Sequence, residues 1–292
     1  MKTSLIHLPE IQQKEIAEIL QIIKEEANPE KVILFGSYAR SNWIADEYLD
    51  DNARFSYIND YDFLVVIRKD AVKEQTIISQ IENRCSNDFK NLICPIVHDI
   101  EYINEGLRNG QYFFIDILTE GILLFDAESF EFDSFAQLNE QEKKEKAQHY
   151  FDKWYPQARE FLDVASFCLS NHYLKIGVFN LHQATECFYI AALMVYVGYK
   201  PRTHNLLKLR NYAKHISIKL YSLFKTPISD KCEFNPFDVL RRGYVDSRYK
   251  MDYVIAEEEL KELINKVAKM QEIVRSLCEE KIDALGANIP IQ

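Results

Sequence analysis

Apolar residues in the first 130 positions follow helix spacing and strand spacing in turn. Between Ile16 and Ala27 they recur every three or four residues, which predicts a helix with one apolar face. Residues 31–35 (KVILF) and 60–67 are short, nearly continuous apolar runs, so they predict two buried strands. A further helix is predicted over residues 72–85 and a third strand over 91–98.

Two segments of this region have no single clear period. Residues 41–59 are polar and are interpreted as a long insertion between the first two strands. Residues 112–126 are aromatic and apolar, and we predict strand or a mixture of helix and strand there. Because helices alternate with strands, we expect an α+β amino-terminal domain with a mixed sheet over residues 1–130.

The pattern changes near residue 137, beyond which apolar positions keep a helical period up to Cys278 with few helix breakers. Three apolar stripes indicate separate helices: Phe161, Val164, Ala165 and Cys168; Phe188, Ala191, Ala192 and Val195; and Leu260, Leu263, Val267, Met270 and Val274. They predict a carboxy-terminal all-α bundle of four to six helices over residues 140–285. A length of 292 residues also suggests two domains.

The composition is that of a soluble globular protein, which we expect in the cytoplasm. Hydrophobic residues make up 47% and charged residues 27%, and no apolar run is long enough to span a membrane. The first residues do not resemble a signal peptide. The six cysteines lack zinc spacing and most lie beside apolar residues, so we expect buried free thiols. A net charge of −10 argues against bulk, non-specific nucleic-acid binding.

Two aspartates lie at the start of the second predicted strand. Residues i and i+2 of a strand point to the same face, so we expect the carboxylates of Asp60 and Asp62 close together. Two neighbouring anions at a sheet face are costly unless a cation compensates them, and Mg²⁺ prefers carboxylate oxygens. The pair predicts a metal site; the structural alternative is a solvated turn ahead of the strand.

The dipeptide Gly36-Ser37 directly follows the first predicted strand. Glycine allows a sharp turn and a close approach of the backbone to a ligand. A serine at the start of the next helix brings a hydroxyl and free backbone N–H groups together, which favours phosphate. The structural alternative is a glycine turn with a serine helix cap.

Together these residues resemble a known family. The segments Gly36-Ser37-Tyr38-Ala39-Arg40 and Asn59-Asp60-Tyr61-Asp62-Phe63-Leu64-Val65 look like the signature of polymerase-β-type nucleotidyltransferases, especially the minimal bacterial kind. The resemblance covers about a third of the chain. It implies that Gly36 and Ser37 bind the phosphates of an NTP, that Arg40 assists, and that Asp60 and Asp62 are catalytic ligands of Mg²⁺ or Mn²⁺.

The implied reaction transfers a nucleoside monophosphate, with ATP as the expected donor, to an acceptor hydroxyl. The acceptor is open between a small hydroxylated molecule and a protein tyrosine. The family usually supplies a third carboxylate from a later strand, but no acid lies at the centre of the third predicted strand. Candidates nearby are Asp99, Glu101 and Asp116, and His98 is a candidate base or a structural histidine.

The helical part contains a basic stretch. No Asp or Glu occurs from Cys187 to Ser229, which holds seven cations: Lys200, Arg202, Lys208, Arg210, Lys214, Lys219 and Lys225. Such a stretch could attract RNA or a nucleotide, dock on the acidic first domain, or simply be solvated.

Three segments of the helical part resemble the HEPN family of helical domains. They are Leu181-His182-Gln183-Ala184-Thr185-Glu186, Gly198-Tyr199-Lys200-Pro201-Arg202-Thr203-His204-Asn205-Leu206 and Tyr244-Val245-Asp246-Ser247-Arg248-Tyr249. The resemblance covers roughly residues 145–270. Such domains often accompany minimal nucleotidyltransferases, as a fused domain or as a partner chain.

Many members of this family are ribonucleases with an Arg followed four to six residues later by His. Here Arg242 is followed by Arg248, and the pattern occurs only as Arg210 and His215, outside the helix expected to carry it. His182 and Glu186 share a helix face and could begin a metal site or form an internal hydrogen bond.

The leading hypothesis is therefore a metal-dependent nucleotidyltransferase. A toxin–antitoxin-like HEPN fusion that acts on RNA, and a catalytically weak nucleotide-binding protein, are the alternatives. The expected partners are an NTP and a small-molecule or protein acceptor, with RNA and a second copy of the chain as further candidates and no membrane.

Overall fold

The computed structural model describes residues 1–40, 45–50, 53–58, 60–69, 73–86, 88–89, 91–135, 138–224 and 234–287. The chain divides into two compact units. The first comprises residues 1–50 and 55–137, and the second comprises residues 51–54 and 138–292. None of the described helices combines the length and the apolar character that a bilayer-crossing helix requires.

The amino-terminal part alternates helices and strands. In chain order its elements are α1 (Glu10–Ala27), β1 (Lys31–Phe35), α2 (Ser37–Arg40), β2 (Ala45–Asp50), β3 (Ala53–Ile58), β4 (Tyr61–Ile67), α3 (Glu74–Cys85), β5 (Ile93–Asp99), α4 (Ile100–Arg108), α5 (Tyr112–Glu120) and β6 (Ile122–Asp126). The α+β class is confirmed.

The four-stranded sheet has the order β5-β4-β1-β6. Strand β1 is antiparallel to both of its neighbours, β4 and β6, whereas β4 and β5 are parallel, so the sheet is mixed. Strands β2 and β3 form a separate two-stranded sheet.

Helices cover both faces of this sheet. On one face, Val32, Phe63 and Val65 pack with apolar residues of α1 and α3, including Ile19 and Ile81. On the other face, α4 contacts β5 and α5 contacts β1. Because β1 and β4 are covered on both sides, they are almost continuously apolar rather than alternating.

From residue 138 onward, the described part of the second unit contains only helices. They are α6 (Glu140–Ser170), α7 (Leu174–Val197), α8 (Leu206–Ala213), α9 (Ile218–Ser222), α10 (Pro236–Tyr249) and α11 (Glu257–Ala287). Helix α7 contacts α6, α8, α10 and α11, which explains why it is buried nearly all round. The three predicted apolar stripes lie on α6, α7 and α11, which confirms the helical bundle.

Most predicted elements are observed with small shifts at their ends. The first strand is confirmed at Lys31–Phe35, and residues 112–126 form a helix followed by a strand, as the mixed alternative stated. The polar insertion predicted at residues 41–59 contains two strands, β2 and β3, for which the sequence analysis made no prediction. Of the cysteines, Cys94 is half-buried, Cys85, Cys168, Cys187 and Cys278 are buried free thiols, and Cys232 lies outside the described residues.

Candidate functional site

The turn after β1 brings Gly36 against Asp62. Phe35 pairs with Asp62 across the antiparallel strands β1 and β4, so the next residue passes over the aspartate side chain. Gly36 has φ +76°, a conformation that other residues rarely adopt. A Cβ atom at Gly36 would lie 2.3 Å from Asp62 Oδ2. Only glycine therefore leaves room for this carboxylate.

Helix α2, which starts at Ser37, is a single four-residue turn. The Ser37 Oγ atom is buried and has no hydrogen-bond partner among the described residues. A buried hydroxyl without a partner is costly, which makes it a candidate for hydrogen bonding to a ligand. Because α2 has only four residues, its dipole is weak. The buried Ser37 hydroxyl is therefore the stronger indication of a phosphate site.

The residue after Ser37 anchors the turn to the rest of the unit. The Tyr38 ring stacks on Tyr61 with centroids 4.5 Å apart, and its hydroxyl accepts a hydrogen bond from Asn91 Nδ2 at 2.7 Å. The Tyr61 hydroxyl donates to Glu15 at 2.6 Å. Burial raises the pKa of both phenols, so both hydroxyls stay protonated.

Asp60 directly precedes β4 and Asp62 is the second residue of that strand; both are buried, with 6% and 7% of their surface exposed. They are separated by two positions along an extended chain, which directs both side chains to the same side. Both aspartates have interaction partners in the structure. Their assignment as metal ligands stays a prediction.

The candidates for a third carboxylate lie elsewhere. In the parallel register of β4 and β5, Asp62 pairs with Cys94, whereas Asp99 pairs with Ile67 at the opposite end of the strands. The Asp99 side chain caps helix α4 by accepting from the Tyr102 N–H at 2.9 Å. The neighbour of Asp62 on β5 is thus a thiol rather than an acid.

The other two acids and the candidate base have different surroundings. Glu101 lies 2.5 Å from Lys69 Nζ in a surface ion pair, and Asp116 is exposed on α5. His98 is buried and its Nδ1 lies 3.2 Å from Glu74 Oε1, which favours the structural alternative. Among the described residues, no group of three or more His, Cys, Asp or Glu side chains could hold a metal ion.

Arg40, the predicted phosphate-binding arginine, lies at the end of α2. Its Nε lies 2.6 Å from Glu120 Oε2, and both side chains are about half exposed. Exposed ion pairs of this kind contribute little to stability and open readily to other partners. The contact with Glu120 therefore does not prevent Arg40 from binding phosphate. Its role remains a prediction.

A second polar cluster lies in the helical unit, around Glu186 on α7. His204 Nδ1 lies 2.9 and 3.1 Å from the two carboxylate oxygens of Glu186, and His182 Nε2 lies 3.6 Å from one of them. Burial alone would raise the pKa of Glu186, but the two imidazoles outweigh it and hold that pKa below its usual range. Glu186 is therefore an anion with two histidine neighbours.

Aromatic and basic side chains from α7 and α10 adjoin this cluster. The Tyr244 ring lies parallel to the His204 ring, with centroids 6.0 Å apart and an interplanar angle of 2°. The guanidinium carbon of Arg248 lies 3.8 Å from the centre of the same Tyr244 ring and 5.2 Å from that of Phe179. Arg248 and Tyr249 are exposed.

The surroundings of Arg210 do not favour the Arg210/His215 pattern as a nuclease site. Arg210 is only 2% exposed, and its Nε donates to the Tyr221 carbonyl oxygen at 2.9 Å while its guanidinium packs on the Tyr221 and Phe237 rings. Burial lowers the pKa of Arg210. The side chain is part of the bundle interior, whereas His215 is exposed. Arg210 is therefore better interpreted as a structural residue of the bundle than as part of a nuclease site.

The comparisons with known proteins support a family assignment only for the helical unit. The structure defines an α+β protein in which a mixed-sheet unit is followed by a helical bundle. Residues 151–277 match the family described as HEPN domain, which confirms the predicted HEPN-like domain. No family match supports a nucleotidyltransferase domain in the first unit, and no curated protein matches the chain.

The residue that sequence reasoning left without a role is His204. It was noted only as part of a segment resembling the HEPN family, and its partner Glu186 lies 18 positions earlier. A signal was present, because Glu186 is the only acidic residue between Leu174 and Val197 and lies directly before the acid-free stretch.

Proposed function

We propose that the helical unit binds and acts on RNA, in an RNA-processing or toxin-like role. A HEPN domain suggests such a role, and HEPN domains often bind RNA. This reading is one of the alternatives considered from sequence, and the family match favours it over nucleotidyl transfer as the main activity of the chain.

One observation carries the proposal: Arg248 lies over the Tyr244 ring at an exposed position, beside Phe179 and Tyr249. Unpaired RNA bases stack on aromatic rings and on guanidinium planes, while arginine also contacts phosphate. The surface thus offers both interactions that single-stranded RNA uses.

Only some of the cations of the basic stretch support the same proposal. Lys200, Arg202 and Lys219 are exposed, but Arg210 and Lys214 are buried and cannot contact a large polyanion. The attraction to RNA would therefore come from a few surface cations rather than from seven, and its dependence on salt should be moderate.

Fluorescence anisotropy with a labelled single-stranded RNA tests this function. We expect Arg248→Ala to weaken binding about 5- to 150-fold, since stacking on one base contributes about 1–3 kcal/mol. Arg241→Ala, which removes an exposed arginine of the same helix that pairs with Asp238, is the matched control. If the full-length protein shows no RNA binding at low salt, the proposed function is wrong.

A homodimer is part of this proposal, since HEPN domains often dimerise. Exposed apolar side chains on the helical unit, among them Phe167, Ile176 and Val245, would suit an interface between two copies. Light scattering coupled to gel filtration measures the mass directly. A monomer at high protein concentration would contradict the dimer.

We infer nucleotidyl transfer as a second candidate function, located in the first unit. It is favoured by the approach of Gly36 to Asp62 together with the unpartnered Ser37 Oγ. Two carboxylates suit Mg²⁺, which usually binds through one or two carboxylates while substrate phosphates and water complete its shell. Asp60 and Asp62 would hold such an ion, which would neutralise the triphosphate charge.

Incubation with labelled ATP, Mg²⁺ and a cell extract tests this second function. Transfer of label to an acceptor should disappear in Asp60→Asn and Asp62→Asn, while Glu18→Gln, an exposed carboxylate of the same unit, should retain it. ATP binding without transfer would support the catalytically weak alternative. Binding that is unchanged in both aspartate variants would exclude this site.

A further inference from the structure

Tyr61, the first residue of β4, lies between Asp60 and Asp62 in the sequence but points to the opposite face of the sheet. Successive side chains of an extended chain alternate between the two faces, so Tyr61 and the aspartates are on different sides. Its ring is fully buried in the core that α1 and α3 form with the sheet, and its hydroxyl donates to Glu15 of α1 at 2.6 Å. The residue between the aspartates therefore anchors this end of β4 to α1.

Tyr38, the residue after Ser37, contacts Tyr61 on this buried face. The two rings are stacked, with their centroids 4.5 Å apart and an interplanar angle of 23°. Aromatic pairs have preferred arrangements, so the stack restricts how the two side chains can lie relative to each other. It joins the candidate phosphate-binding turn directly to the end of the strand that carries the aspartates.

Two other segments of the chain also hold Tyr38. Asn91, which lies just before β5, donates from Nδ2 to the Tyr38 hydroxyl at 2.7 Å. The Tyr38 carbonyl oxygen accepts from His7 Nε2 at 2.8 Å, since a carbonyl can only accept. Helix α2 has four residues, and a single helical turn is not stable by itself. The position of Ser37 therefore depends on these contacts of its neighbour.

The turn and the strand touch at two places, on opposite sides. On the aspartate side, Gly36 lies against the Asp62 carboxylate, where a Cβ atom would be 2.3 Å from Oδ2. On the buried side, Tyr38 stacks on Tyr61. Two contacts on opposite sides fix both the separation and the angle between the turn and the strand. A ligand that extends from the turn to the aspartates would find both binding groups in place, which lowers the cost of binding.

We propose that Tyr38 and Tyr61 are positioning residues, which hold the turn at Ser37 and the candidate metal-binding aspartates at the separation that one Mg²⁺-chelated triphosphate requires; this rests on the nucleotidyl transfer inferred above as the second candidate function. Neither ring contacts the nucleotide, because both are buried on the other face of the sheet. The stack instead makes the phosphates and the ion favour each other's binding. Without it, each half of the site still binds its own partner, but the two binding events are no longer coupled.

ATP binding to the full-length protein, measured by isothermal titration calorimetry with and without Mg²⁺, tests this role. The ratio of the two dissociation constants measures how strongly the ion assists nucleotide binding. Tyr38→Leu and Tyr61→Leu should each lower this ratio about 2- to 13-fold, the usual contribution of a stacked aromatic pair. A variant that only has a smaller folded fraction binds more weakly by the same factor in both conditions, so its ratio is unchanged.

Three further variants show whether the effect belongs to the stack. Tyr61→Phe keeps the ring and removes only the bond to Glu15, so it should keep more of the ratio than Tyr61→Leu. The double variant Tyr38→Leu/Tyr61→Leu should lower the ratio no further than either single change, because both changes remove the same contact. Ile81→Ala removes a buried side chain of α3 from the same core, so it should destabilise the unit but keep the wild-type ratio.

Amide hydrogen exchange of the free protein is a readout that needs neither the ion nor the nucleotide. The Arg40 N–H, which donates to the Gly36 carbonyl oxygen at 3.1 Å within the turn, should exchange faster in both leucine variants than in wild type or Ile81→Ala. A wild-type ratio in both leucine variants, an equal loss of the ratio in Ile81→Ala, or unchanged exchange of the turn would each overturn the positioning role alone. If the wild-type protein binds no ATP, or binds it no better with Mg²⁺, the second candidate function is wrong as well.

Discussion

Gly36 lies so close to Asp62 that a side chain at position 36 would occupy the space now filled by the Asp62 carboxylate. A Cβ atom at position 36 would lie 2.3 Å from Asp62 Oδ2 and 3.2 Å from its Cγ. The carboxylate is the end of a side chain and can move, whereas the backbone of Gly36 is fixed by the end of β1. The residue type at position 36 therefore controls where the carboxylate of Asp62 lies.

Gly36→Ala should displace Asp62 and destabilise the first unit. A residue other than glycine at positive φ costs about 1–2 kcal/mol, to which the steric conflict adds. Urea denaturation measures this loss, and a double-mutant cycle with Asp62→Ala isolates the steric part. The double variant should lose less stability than the two single changes together. Strict additivity would mean that the two residues do not interact.

Three buried thiols should be unreactive in the folded protein. Burial raises the pKa of Cys85 to about 11 and those of Cys187 and Cys278 to about 12. At pH 8 almost none of each is thiolate, which is the reactive form. Iodoacetamide followed by peptide mass spectrometry should show these three unmodified at pH 8 and fully modified in denaturant. Rapid labelling of any of them in the native state would contradict their burial.

Much of the first unit is predictable from local pattern. Strand β1 is a continuous apolar run that ends where Gly36 permits a turn, so sequence defines both its identity and its end. Helix α4 was not predicted, because it has nine residues and follows β5 without a loop, with Asp99 ending the strand and capping the helix. Because Asp99 is both the last residue of β5 and the cap of α4, no loop residue marks the boundary between them in the sequence.

The sites were harder to predict, because they depend on contacts between distant segments. Sequence spacing was sufficient to pair Asp60 with Asp62. The parallel register places Cys94 beside Asp62 and Asp99 at the far end of the strands, and it could be read only from the folded sheet. Likewise, the contact of Glu186 with His204 depends on the path of the chain between α7 and α8. Neither relationship follows from a periodic pattern.

The ion pair between Lys31 and Asp126 should make stability depend on pH. Lys31 is buried at the start of β1, and its Nζ lies 2.6 Å from the Asp126 carboxylate at the end of β6. The Lys31 ammonium holds the pKa of Asp126 below its usual range. The folded state therefore favours the ionised carboxylate, so its stabilisation is present above the pKa of the unfolded chain, about 3.9.

Asp126→Asn should consequently be less stable than wild type at pH 7. The difference should shrink as the pH falls below about 4, where Asp126 takes up a proton first in the unfolded chain and, at lower pH, in the folded protein. Urea denaturation at several pH values between 3 and 7 checks this. A difference in the free energy of unfolding that stays constant down to pH 3 would show that the hydrogen-bond geometry, and not the charge, is responsible.

Arg210→Ala should destabilise the helical unit, since Arg210 is a structural residue of the bundle. Removal of the side chain leaves the Tyr221 carbonyl without its donor and opens a cavity between the Tyr221 and Phe237 rings. We expect a loss on the order of 3 kcal/mol in the free energy of unfolding, measured by urea denaturation. His215→Ala, at an exposed position five residues later, should lie within about 0.5 kcal/mol of wild type. A stable Arg210→Ala variant that has lost only RNA cleavage would contradict this assignment and return the Arg210/His215 pair to consideration as a nuclease site.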